Sequence, residues 1–113
     1  MSAATREPRS GELRRRIVLE AASRTADGGG GASLAWTAVA TLWASVRALS
    51  GEERVAAGRL SGRLSHEIVI RRRAGVTPDL RFRVGSRRLA IRAVLERDAG
   101  GRYLTCLCEE PDL

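Results

Sequence analysis

The stretch from His66 to Glu110 constrains the fold most, because its apolar residues recur with a period of two between short turn-forming segments. Leu80, Phe82 and Val84 alternate with Arg81 and Arg83, while Leu89, Ile91, Ala93 and Leu95 alternate with Arg88, Ala90, Arg92, Val94 and Glu96. Successive side chains of a strand point to opposite sides of the sheet, so this alternation calls for one buried and one wet face. The intervening segments, Ala74 to Asp79, Gly85-Ser86 and Asp98 to Gly101, carry residues that adopt turn dihedrals at little cost. An antiparallel meander follows.

The rest of the chain has to pack against that meander. Arg14 to Ala22 reads as a first strand, with Ile17, Leu19 and Ala21 on one parity. Asp27 to Gly31 is a flexible glycine loop. It lacks the Lys-Ser/Thr or the Gly-x-Gly-x-x-Gly spacing that a phosphate cradle needs. Leu34 to Leu49 satisfies two periods at once. Its alanines and the spacing of Trp36, Val39, Ala40, Trp43 and Val46 suit a helix, whereas β-branched Thr37, Val39, Thr41 and Val46 suit a strand. As a strand it would put Trp36 and Trp43 on opposite faces, one in the core and one towards a partner. Ser50 and Glu53 form a capping box for a short helix over Gly51 to Leu60.

A chain of 113 residues fits one domain burying roughly 65% of its extended surface. The expected organisation is a flexible arm over 1–10, one domain over 11–110 with a loop at 23–33 and a helical insertion at 50–64, and a tail over 111–113. Only Trp36, Trp43, Phe82 and Tyr103 are aromatic, so the core is thin and oligomerisation is a natural way to bury more surface. Ile17, Leu19, Ile68, Ile70, Phe82, Val84, Leu89 and Ile91 are the expected core.

The net charge is +7, and all 20 basic residues are arginine. The sign of that balance suits an acidic partner. Arg71, Arg73, Arg81, Arg83, Arg88 and Arg92 fall on the solvent parity of their strands and would form one basic face if the strands are neighbours. Such a face can hold phosphates without reading sequence or grip carboxylates across a protein interface. No aromatic shares their parity within these strands, which favours protein or nonspecific backbone contact over base stacking.

Catalysis finds no constellation. One histidine, His66, and two neighbouring cysteines, Cys106 and Cys108, fall short of the three or four ligands a metal site needs. The two cysteines share a face about 6.5 Å apart, so free thiols are expected. Glu52 with Glu53 and Glu109 with Glu110 are neighbours whose side chains diverge, unsuited to paired acid and base work. The expectation is a protein that is not an enzyme and takes no cofactor. No segment is long and apolar enough to span a membrane as a helix, and the N-terminus lacks a signal-peptide core, so cytoplasmic synthesis is expected.

Taken in order, several segments resemble one family. They are Leu13 to Glu20, the glycine loop at Asp27 to Gly31, Trp36, and Leu42 to Val46. After Gly51-Glu52-Glu53 come Ile68 to Arg71, Leu80 to Gly85, Leu89 to Ile91 and Glu96 to Cys106. Over roughly residues 11 to 110 the sequence resembles the head-to-tail joining (head-completion or stopper) proteins of long-tailed DNA phages, in the version carried by alphaproteobacterial gene transfer agents. The resemblance implies a mainly β fold, a small antiparallel barrel of about six strands with one short helix in an insertion, and makes Leu34 to Leu49 a strand. It further implies a ring of about six or twelve copies, set between a portal or adaptor ring and a tail terminator or tail tube in the neck of a particle. Double-stranded DNA would lie close by without specific contact, with no membrane partner. Gly28, Gly29, Gly30, Glu52, Glu53 and Arg54 become candidate contacts between subunits or rings. The alternatives are a tail-terminator ring and a small basic nucleic-acid-binding barrel.

Overall fold

A computed structural model of the chain describes residues 13–58 and 63–111. It contains six strands: β1 (Arg15–Ala26), β2 (Ala32–Ala48), β3 (His66–Arg71), β4 (Arg81–Val84), β5 (Arg87–Leu95) and β6 (Tyr103–Glu109). One helix, α1 (Gly51–Gly58), stands between β2 and β3. The strands close into an antiparallel barrel in the order β1-β2-β3-β6-β5-β4, with β4 pairing back onto β1. The expected arm at 1–10, residues 59–62 of the insertion and the last two residues of the tail lie outside the described residues.

Leu34 to Leu49 falls within strand β2 almost to its end, and the barrel explains why. β2 pairs with β1 from Ala32 to Ala44 and with β3 from Ala44 to Ala48. A helix there would leave the hydrogen-bonding edges of both neighbours open, which costs more than the helical preference of a few alanines.

The two tryptophans correct the sequence expectation. Leu19 pairs with Ala40 but Glu20 pairs with Ala38, so Val39 is an extra residue in β2, a bulge that reverses side-chain parity beyond it. Trp43 lies opposite Arg16, and Trp36 opposite Ala22. Arg16 and Ala22 share the outer parity of β1, so both indoles stand outside the barrel. A second bulge breaks the alternation of β5. Ile91 pairs with Cys108 and Ala93 with Leu107, leaving Arg92 unmatched, and beyond it Val94 packs on the core. The uniform alternation expected through Leu95 therefore holds only as far as Ile91.

Every expected core residue lies inside the barrel, joined by Ala44, Leu80, Leu104, Cys106 and Cys108. A smaller cluster of Leu13, Val69 and Tyr103 joins β3 to the start of β6 on the other face of the sheet, and β6 is buried from Tyr103 to Cys108. Gly85 takes φ +63°, and among the described residues only glycines have positive φ; Gly85-Ser86 makes the tight turn that joins β4 to β5. At the start of α1 the Glu53 N–H donates to Ser50 Oγ at 3.2 Å and the Ser50 N–H to Glu53 Oε1 at 2.8 Å, the expected capping box.

Beyond the barrel the ends of β1 and β2 continue as a two-stranded hairpin. Ala22 to Ala26 and Ala32 to Ala35 are exposed, and the molecule measures 55 × 28 × 23 Å. The glycine loop at its tip is tied rather than loose: the Gly29 and Gly31 N–H groups donate to Asp27 Oδ1 at 2.8 and 3.1 Å.

Phe82 is fully buried at the centre of the cluster. Phe82→Ala should cost about 3–5 kcal/mol, the usual range for emptying an aromatic site, and lower the midpoint of thermal unfolding followed by circular dichroism.

Candidate interaction surface

The barrel brings acids to the arginines that are distant in sequence. Glu20, on the outer face of β1, is buried and pairs directly across from Arg81 on β4. Arg81 Nε donates to Glu20 Oε1 at 2.7 Å and Arg83 Nε to Glu20 Oε2 at 3.2 Å. Burial alone would raise the Glu20 carboxyl, but the two guanidiniums outweigh it and hold it below the usual carboxylate range. Arg92 Nε donates to Glu109 at 2.8 Å, and Arg87 grips both oxygens of Glu110 at 2.8 and 2.5 Å.

The six arginines read from sequence as one basic face thus divide. Arg81, Arg83, Arg88 and Arg92 lie together on neighbouring β4 and β5, with Arg83 and Arg88 directly paired. Arg71 lies at the end of β3 and Arg73 just beyond it, separated from that patch by β6 on one side and by β2 and β1 on the other. Arg81, Arg83 and Arg92 are held by carboxylates. Arg71, Arg73 and Arg88 are in no ion pair among the described residues, and Arg73 Nε is buried without a hydrogen-bond partner.

Aromatics do stand among these cations, supplied by β2 and brought to one face by the Val39 bulge. The Arg81 guanidinium sits 4.1 Å over the Trp36 ring, and the Arg16 guanidinium 5.6 Å over Trp43. Trp36, Arg81, Arg87, Arg88 and Glu110 line a groove of about 440 Å³. Leu13, Arg14, Trp43 and Arg71 line a second of about 430 Å³.

The candidate loop contacts lie at the two ends of β2. Gly28, Gly29 and Gly30 form the hairpin tip, whereas Glu52, Glu53 and Arg54 belong to α1 after the last residue of that 17-residue strand. At about 3.3 Å per residue the strand spans roughly 55 Å. Glu52 and Arg54 are exposed. Glu53 already has partners, because Arg47 donates to both its oxygens at 2.7 and 2.9 Å and the Ser50 cap completes the site. These bonds hold its carboxyl low, at about 2.

One cluster escaped sequence reasoning. His66 is buried, with Ser65 Oγ 2.8 Å from Nδ1 and Arg87 Nη2 3.3 Å from Nε2. The Glu110 N–H also donates to Ser65 Oγ, so the group ties the end of β6 to the start of β3. Burial, and after it the charge of Arg87, lower the histidine pKa, so this is a neutral structural imidazole. Among the described residues no three His, Cys, Asp or Glu side chains gather as a metal site would require.

A closed barrel with arginine–tryptophan grooves on its wall, a hairpin at one end and a capped helix at the other defines a small antiparallel β-barrel protein. The model of the phage head completion protein family matches residues 8–111, and the chain belongs to that family. It is similar to a chain in the virion of a native gene transfer agent particle, at 43% identity over 86% of this chain and 93% of that one, with a TM-score of 0.65. It is also similar to protein SF1141 from Shigella flexneri 2a, known from a solution structure, at 32% identity over 89% and 95% of the two chains and a TM-score of 0.71. No curated protein matches the sequence.

Glu20→Gln should lower thermal stability near neutral pH. A carboxyl with a lowered folded-state pKa stabilises above its unfolded value and loses that contribution as pH falls through the folded one. The difference between wild type and variant should therefore narrow in acid, which melts recorded between pH 7 and pH 3 would measure.

Proposed function

We propose that the protein is a head-tail connector of a phage-like particle, a stopper that forms a ring between the portal or adaptor and the tail and helps retain packaged DNA. The observation that carries this is the placement of its contact elements. A 17-residue strand runs through the barrel wall and presents a hairpin tip at one end and a capped helix at the other. A subunit of that shape can touch one structure above and another below while the barrel wall meets its neighbours. Similarity to a chain of a gene transfer agent virion agrees with it. The particle would be assembled in the bacterial cytoplasm.

Direct nucleic-acid binding is the weaker alternative for a physical reason. Arg81 covers one face of the Trp36 ring, and the carboxylates of Glu20, Glu109 and Glu110 cancel much of the nearby charge.

In a producing strain that lacks the protein, unjoined heads that have lost packaged DNA and unattached tails should accumulate under the electron microscope, and the wild-type chain should restore joined particles. Arg71→Glu with Arg88→Glu changes two exposed arginines that are in no ion pair among the described residues, without stranding a buried acid. It should leave the melting temperature near wild type and cut joined particles by about tenfold, the scale of a lost interface contact. Normal particle yield from that variant would remove these arginines from the contact surface. Co-sedimentation of the protein with tails rather than heads would identify a tail terminator. Retention on duplex DNA with a steep salt slope would favour the nucleic-acid reading.

A further inference from the structure

The hairpin carries two open edges. β3 pairs with β2 only from Ala44 onward, so among the described residues the outer edge of β2 from Ala32 to Trp43 has no strand beside it. β4 pairs with β1 only from Val18 to Glu20, so among the described residues the opposite edge, Ala21 to Ala26, has no strand beside it either. Soluble proteins protect such edges with charges, prolines or covers, because a row of free N–H and C=O groups recruits another strand. This hairpin has little of that protection. From Ala32 to Val46 β2 has no charged residue and no proline, and Arg24 is the single charge between Ala21 and Ala26. Leu34 and Val39 are 57% and 50% exposed.

We infer that the β2 edge of one copy pairs with the β1 edge of the next, so that the hairpins of neighbouring subunits join into one continuous antiparallel sheet. The occupant is a second copy of this chain because one hairpin supplies both halves of the contact. β1 and β2 run in opposite directions, so copies related by rotation about a common axis alternate β1, β2, β1, β2, and each new contact is antiparallel like those within the hairpin. The contact is head-to-tail, the kind that closes into a ring when the rotation per copy divides a full turn. Main-chain hydrogen bonds supply its strength and the small side chains of Ala22, Ala26, Ala32 and Ala35 allow close approach. The inference rests on the ring reading above and names its subunit contact.

Residues paired across β1 and β2 share a sheet face, so Leu34 shares its face with Arg24, Ala22 and Ala26. The test co-expresses Leu34→Cys with one of Ala22→Cys, Arg24→Cys or Ala26→Cys as separate chains in producing cells and oxidises the purified particles mildly. The native Cys106 and Cys108 are buried and do not contribute. At least one of the three combinations should give a reducible dimer of about twice 12.2 kDa. Leu34→Cys expressed alone should give none. Hydrogen exchange of the wild-type chain gives a variant-free measure, with amides on both open edges slowed in particles relative to the free protein.

Particles that contain both variants but form no dimer in any combination, with edge amides exchanging as in the free chain, would overturn the edge contact while leaving the ring reading intact. A dimer from Leu34→Cys alone would mean two β2 edges meeting and would also overturn it. Absence of the protein from intact particles would overturn both.

Discussion

Closure of the barrel depends on three residue pairs between β1 and β4, Val18 with Arg83, Leu19 with Phe82 and Glu20 with Arg81. They are the shortest seam in the sheet, yet they join the first strand to the middle of the sequence and remove the edges that an open six-stranded sheet would expose. The seam is reinforced on both faces. Inside, Leu19 and Phe82 are fully buried; outside, one carboxylate receives two guanidiniums from alternate residues of β4. The Val39 bulge lies beside the same point on the other flank of β1. Extra local twist from a bulge helps strands wrap into a small barrel, so the bulge and the seam act on the same bend.

That geometry governs how charge is distributed. The arginines of β4 and β5 are adjacent because those strands form a hairpin, and their counterions come from β1 and from the end of β6. A strongly basic chain consequently carries its positive balance as a mixture of neutralised sites and a few open ones. Two of the open ones line grooves that each hold a tryptophan, Arg88 with Trp36 and Arg71 with Trp43.

Much of this fold was legible in the sequence, because strand periodicity, the turn residues and the capping box are all local. Ile17, Leu19, Ile68, Ile70, Phe82, Val84, Leu89 and Ile91 could be assigned to the core for that reason. The misplacements have a common cause. A bulge shifts parity by one, and nothing in Thr37-Ala38-Val39-Ala40 or Ile91-Arg92-Ala93 marks the residue that the partner strand skips. The expected alternation therefore puts one of the two tryptophans in the core and Val94 away from it, the reverse of where they lie. The strand character of Leu34 to Leu49 was equally hidden from local propensity, since its need to pair belongs to β1 and β3. The ion pairs of Glu20 required knowing that β4 folds back on β1, and the family resemblance, not the residue pattern, supplied the closed barrel.

The two thiols of β6 bear on covalent stability. The reactive species is the thiolate, and burial pushes the Cys106 thiol up to about 12 and Cys108 higher still. Both sulfurs therefore stay protonated and shielded at any physiological pH. The barrel keeps one covalent structure in reducing and oxidising surroundings alike, so its fold is indifferent to the redox state of the medium.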